Sequence, residues 1–328
     1  MSTNTRHTRR LTATGWDQQT NEVLLSIAST IAAVANVVFF PGDVQDFHDA
    51  MYAGAYSEFA SYSYESVAAT LAQKFGNDTN VWVIRPNELA YNTYACYTSF
   101  VASTKHGAAL SYTHTGTAVP HLMALMENVQ AQLQQEHDIS LELPIHLVGF
   151  SKGGIVLNQI ATEATRWKAG LFSNFDTPDN NNNNNNNEVE TLVSSADQRF
   201  FSRLSSIHWV DSGNGSRYGA VPTDERTLSA LYALRPLTLC VHVTPYQFDA
   251  PDRRWIRSEI LQFIGTMIYF DFHVHLLRYH EHTIASLRTH FQILNDMALP
   301  QAYSTKTGEP HSPEVTVQPF HFQSRSVG

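Results

Sequence analysis

Pro144-Ile145-His146-Leu147-Val148-Gly149-Phe150-Ser151-Lys152-Gly153-Gly154 is the stretch on which the fold turns. A short β-rich run, Ile145, Leu147 and Val148, enters Gly-x-Ser-x-Gly, and Ile155-Val156-Leu157-Asn158-Gln159-Ile160-Ala161 follows with apolar positions suited to a buried helix. Strand, tight turn and helix in this order are the sequence form of a nucleophile elbow, where a strained turn lifts a serine hydroxyl clear of a sheet. Gly149 and Gly153 fit that turn because strand and helix approach too closely there for side chains. The bare pattern is weak, arising by chance in roughly one chain in ten of this length. The plain alternative is a glycine-rich turn with Ser151 as a helix N-cap.

Working outward, six segments read as strands: Asn36 to Phe40, Val81 to Ile84, Ile145 to Val148, Ile207 to Val210, Leu237 to Val243 and Met267 to Val274. Between them, Tyr64 to Lys74 and His121 to Glu136 carry apolar residues at helical spacing, the first beginning near Ser63. This alternation predicts a mostly parallel central sheet with helices on both faces, an α/β-hydrolase-like fold. One domain is expected over 19–303, with a low-complexity insertion at about 176–190 and a loosely held tail over 304–328. The insertion is centred on eight consecutive asparagines, Asn180 to Asn187, which cannot bury apolar area and are expected to form a mobile surface segment. Residues 1–18 are expected to be a disordered tail or a short mitochondrial presequence, because Arg6, Arg9 and Arg10 precede the first acid, Asp17.

Charge narrows the partners. The 328-residue chain has a net charge of −9 and no run of basic residues longer than two, so a nucleic-acid backbone is excluded as an expected partner. Val23 to Phe40 is apolar but interrupted by Ser26, Ser29, Thr30 and Asn36, and reads as core strands with no transmembrane segment. Cys96 and Cys240 cannot make a disulfide framework, and Cys240 reads as a small core residue.

A hydrolytic serine needs a base, an acid to orient that base, and donors for the oxyanion, in the chain order Ser, Asp or Glu, His. His290 lies where a loop enters a final helix and is the favoured base, with His280 and His282 as alternatives; His273 and His275 alternate within a strand. Asp211 directly follows a strand and is the favoured acid, with Asp249 in the next loop as the alternative. One oxyanion donor is the Lys152 N–H; the second is sought in Pro41-Gly42-Asp43-Val44, where Gly42 allows close approach and Asp43 or Val44 donates. The Lys152 ammonium either attracts an acidic substrate or pairs with a carboxylate. His280-x-His282 has no companion ligands at a recognised spacing, so no metal is expected, and no cofactor is.

The chain resembles the chromosome 2 open reading frame 69 proteins, an uncharacterised, mitochondria-associated family that looks like α/β-hydrolases. The resemblance rests on Phe40-Pro41-Gly42-Asp43-Val44-Gln45 with Phe47-His48, Gly149-Phe150-Ser151-Lys152-Gly153 with Val156-Leu157-Asn158-Gln159, Trp209-Val210-Asp211, Val243-Thr244-Pro245-Tyr246-Gln247 with Trp255-Ile256, and His290-Phe291. These blocks run in order over about 36–297. The family's Asp-Pro after the Tyr-Gln loop is here Ala250-Pro251, flanked by Asp249 and Asp252, which leaves Asp211 the safer match for an acid.

Two functions are carried forward. One is a serine hydrolase acting on an ester or thioester of a small-molecule or acyl substrate, using Ser151, His290 and Asp211. The other is an inactive hydrolase-fold protein that binds a ligand or protein partner through the same cleft or a surface of Tyr91, Tyr94, Tyr97 and Phe100. The resemblance implies a mitochondrial location, with the cytoplasm as the alternative.

Overall fold

The computed structural model describes residues 6–29, 32–173 and 195–300. The strands are β1 (Thr8–Thr14), β2 (Thr20–Ser26), β3 (Ala35–Phe40), β4 (Thr79–Ile84), the small hairpin β5 (Glu88–Ala90) and β6 (Tyr94–Cys96), β7 (Ile145–Phe150), β8 (Leu204–Val210), β9 (Thr238–Val243) and β10 (Val274–Arg278). The helices are α1 (His48–Ala53), α2 (Tyr64–Phe75), α3 (Ala118–Leu133), α4 (Gly154–Ser173), α5 over 195–201, α6 (Glu225–Ala233), α7 (Pro245–Phe248), α8 (Arg254–Tyr269) and α9 (Leu287–Asp296). Eight strands form one sheet in the order β1-β2-β4-β3-β7-β8-β9-β10, and only β2 runs against the rest. That order, with the elbow after the central strand β7, is the α/β-hydrolase arrangement.

Strands β3, β4 and β7 are buried at every position, as parallel strands covered on both faces must be. Their alternate side chains feed two cores. Val38, Phe40, Trp82, Leu147, Trp209 and Val241 meet α3, α4, α6 and α8, while Val37, Phe39, Val81, Val148, Phe150 and Val210 meet α2 and α9. The second face changes character on β8 and β9, where Ser206, His208, Cys240 and His242 occupy buried positions that apolar residues fill elsewhere.

Two expectations change. Residues Met267 to Val274 are not one strand: Met267 to Tyr269 form the last turn of α8, and β10 starts only at Val274. The β-rich run Met267-Ile268-Tyr269-Phe270 carries strand propensity, but Ile256, Ile260, Phe263 and Met267 are buried on one side of a helix and packing overrides it. The N-terminal tail expected over 1–18 is also overturned for residues 8–14, which pair with β2 along its whole length. Its arginines are structural. Arg6 donates to the carbonyls of Asn77, Ser26 and Thr79, Arg9 pairs with Glu136, and Arg10 pairs with Glu22 over the Phe47 ring. The asparagine tract and the 304–328 tail lie outside the described residues. No helix among the described residues is long and apolar enough to cross a membrane.

His121, on α3, ties the edge hairpin to the body. Its Nδ1 accepts from the Trp16 N–H at 3.0 Å, so its Nε2–H donates to Asn21 Oδ1 at 2.8 Å. Burial pushes its pKa down to about 4, and does the same to His146 on β7. Both imidazoles are therefore neutral in the folded chain and protonate first when it unfolds, so stability is lost as pH falls below the ordinary value of 6.5 towards 4. Each histidine is expected to contribute a loss of about 1.4 kcal/mol per pH unit in that window. Urea unfolding between pH 7 and 4 checks this, and His121→Gln should shallow the slope; an unchanged slope would count against His121 as a contributor.

Candidate active site

Ser151 follows β7 directly and opens a 3-10 turn, Ser151–Gly153, that runs into α4. Its φ is 51°, a left-handed conformation that costs a residue with a Cβ of order 1–3 kcal/mol. Nine described residues other than glycine have positive φ, and three of them, Val44, Ser151 and Asp211, sit in the three loops that sequence reasoning assigned to one site. For Val44, a β-branched residue with φ 74°, the strain is greatest. Such strain persists only where the surroundings over-determine it.

Close backbone approach supplies that determination. A Cβ on Gly153 would lie 1.9 Å from the Phe40 carbonyl oxygen and 2.8 Å from that of Pro41, so the elbow is seated on the loop after β3. A Cβ on Gly42 would lie 2.6 Å from the Ser151 Cβ. The loop is held from its other side by the Tyr97 hydroxyl, which donates to the Pro41 carbonyl at 2.7 Å.

Asp211 follows β8 and is wholly buried. Its carboxylate accepts from the Thr244 N–H at 2.8 Å, from the Thr244 hydroxyl at 2.6 Å and from His290 Nδ1 at 2.7 Å. His290 lies in the first turns of α9, which starts on a reciprocal cap between Ser286 and Thr289. The Phe150 and Tyr246 rings each lie 4.5 Å from the imidazole and fix its plane. Because a carboxylate only accepts, Nδ1 carries the proton, which leaves Nε2 as the basic nitrogen on the far side of the ring. Among the described residues, no hydrogen bond joins the Ser151 hydroxyl to an imidazole.

The remaining sequence candidates separate. Asp249, the alternative acid, pairs instead with Arg257 at 2.9 Å and Arg278 at 3.3 Å. His280 faces Asp296, and His282 is exposed. In the oxyanion loop the Gly42 N–H donates to Gln45 Oε1 and the Val44 N–H to the Thr93 carbonyl, so both are engaged. The Asp43 N–H has no partner among the described residues, and Lys152 N–H belongs to a first helical turn, whose donors lack intrahelical acceptors. The Lys152 ammonium is buried, donates to the His106 carbonyl at 3.0 Å and lies 3.5 Å from Asp43 Oδ2. Burial raises the Asp43 carboxyl pKa, against the opposing pull of Lys152 and of the Ala95 N–H. Of the proposed aromatic surface, Tyr97 and Phe100 are core residues, and only Tyr91 and Tyr94 face solvent. Thr244 is the residue that sequence reasoning passed over; its signal was its place between the end of β9 and Pro245.

The C2orf69 family model matches residues 9–143 and 132–273 of this chain, which together span most of it. The chain belongs to the C2orf69 family. It is 30% identical over 274 residues to the mitochondrial protein C2orf69 homolog of Danio rerio, covering 80% of this chain and 72% of that one. Against the mitochondrial protein C2orf69 homolog of Mus musculus it is 25% identical over 337 residues, covering 87% and 85%. Membership places this C2orf69 protein in the mitochondrion, as the resemblance implied. Solved structures with a distant likeness include a lipase/esterase from Lactobacillus plantarum, with TM-score 0.42 and 12% identity over 84% of this chain and 90% of that one. Another is the esterase Est22, with TM-score 0.44 and 11% identity over 88% and 76%. The hydrolase fold of this C2orf69 chain rests on its own strand order.

The seating of the elbow makes a paired prediction. Gly153→Ala forces a Cβ into backbone oxygens and is expected to destabilise by about 3 kcal/mol. Gly170→Ala, in open space on α4, is expected to stabilise by about 0.8 kcal/mol through helix propensity alone. Denaturant midpoints of the two variants should therefore move in opposite directions.

Proposed function

We propose that this C2orf69 protein is a serine hydrolase that cleaves an ester or thioester through an acyl-enzyme. The observation that carries the proposal is the buried Asp211–His290 pair at 2.7 Å, set beside a strained serine at the end of the neighbouring strand. A carboxylate so placed would stabilise an imidazolium at His290, which is what the acid of a triad must do.

In this mechanism Ser151 Oγ attacks the acyl carbon while its proton passes to His290 Nε2. The imidazolium so formed is stabilised through its Nδ1–H by Asp211, which the two Thr244 bonds hold in place. The oxyanion of the tetrahedral intermediate lies between the Lys152 and Asp43 N–H groups. Collapse breaks the bond to the leaving alcohol or thiol, which takes the proton from Nε2. Water then repeats the sequence on the acyl-serine, and the acid leaves.

A second reading, a ligand- or partner-binding protein without catalysis, is favoured by one observation: the Ser151 hydroxyl and the imidazole are not joined by a hydrogen bond. A fluorophosphonate probe separates the two. The folded wild type is expected to label, Ser151→Ala not to label, and Asp211→Asn to turn over acyl esters about 10⁴-fold more slowly. A folded wild type that neither labels nor hydrolyses short-chain acyl esters or acyl thioesters would support the binding reading.

A further inference from the structure

We infer that His208, Cys240 and His242 form a buried structural site for one soft or borderline d10 cation, of the zinc(II) or copper(I) class. The residues share the sheet face that α2 and α9 cover elsewhere, and all three are fully buried. Cys240 and His242 are two apart on β9, so their side chains point the same way, and His208 on β8 is the register partner of Cys240. One donor atom from each lies within 4.8 Å of the others, and no fourth His, Cys, Asp or Glu among the described residues joins them.

The orientation of the rings points to a ligand. His208 Nε2 is held by the Ser206 hydroxyl at 2.9 Å, and His242 Nδ1 by the Tyr279 hydroxyl at 3.1 Å. Metal-binding histidines are oriented in this way, with the second ring nitrogen held by an outer partner. The other two nitrogens, His208 Nδ1 and His242 Nε2, are hydrogen-bonded to each other at 3.1 Å, a bond that a cation between them would replace. Around a tetrahedral zinc, two nitrogens stand about 3.3 Å apart and a nitrogen and sulfur about 3.6 Å apart. The imidazole pair is already near that spacing, and the sulfur, within 4.8 Å of a nitrogen of each ring, would close in on binding. Burial keeps both imidazoles neutral, the state in which they ligate. Burial pushes the Cys240 thiol pKa up, so the cation itself must displace the proton to solvent; the resulting thiolate sets one negative charge against the cation. A thiolate with two imidazoles selects zinc or copper(I) over hard cations such as magnesium or calcium. The cation would cross-link β8 and β9 directly beneath Asp211, whose N–H donates to the His242 carbonyl at 2.7 Å.

The test uses the full chain, refolded anaerobically under reducing conditions with zinc(II) in one arm and copper(I) in the other, then freed of excess metal. Elemental analysis is expected to find on the order of one equivalent in one arm, and X-ray absorption at that metal's edge one sulfur and at least two nitrogen neighbours. Cys240→Ser should weaken retention at least about tenfold, whereas Cys96→Ser, at the other cysteine, should retain the metal. Absorption on the wild type needs no variant to fold. Absence of tightly held metal in both arms, or metal without a sulfur neighbour, would overturn the inference and leave the histidines as a hydrogen-bonded chain.

Discussion

The contact between Gly153 and the Phe40 carbonyl governs the rest of the architecture at the candidate site. Two chain segments more than a hundred residues apart meet there backbone to backbone, at a distance that leaves no room for a Cβ. The elbow cannot tilt without moving the loop after β3, and that loop cannot move without breaking the Tyr97 bond to Pro41. Strain at Ser151 and at Val44 is thus held by mutual support between two turns, each preventing the other from relaxing. Close packing of this kind transmits small displacements, because interiors have few voids in which to absorb them.

What could be read in advance follows from how locally each feature is encoded. The elbow is legible because strand, turn and helix are contiguous in Ile145 to Ala161. The parallel sheet was legible too, since fully buried strands such as β3 and β7 appear as largely apolar runs, broken only by Asn36 and His146. Asp211 and His290 could be nominated by chain order, although only the fold brings a residue after β8 and one on α9 within 2.7 Å. Met267 to Val274 misled because aromatic and β-branched residues have strand propensity regardless of what packs on them. In the chain, four of those residues end or follow a helix whose buried stripe begins at Ile256.

Other features were invisible for a geometric reason. Thr244 acts on Asp211 from the adjacent strand, and the His208, Cys240 and His242 grouping depends on the register between β8 and β9. A spacing rule applied along one strand sees only Cys240-x-His242. The pairing of His208 with Cys240 adds a third ligand that no linear pattern contains. The N-terminal arginines illustrate the same limit, since Arg6 takes its meaning from carbonyls at Asn77 and Thr79.

The Lys152 ammonium answers a question about recognition. A cation beside a candidate nucleophile would ordinarily make the cleft a lure for anions, and association would then weaken with added salt. Here the Asp43 carboxylate lies 3.5 Å away and the His106 carbonyl takes a donor at 3.0 Å, so the charge is largely cancelled where it stands. The Lys152–Asp43 pair thus casts little long-range field of its own. On the proposed hydrolase reading, Lys152 would therefore add little to the salt dependence of substrate capture.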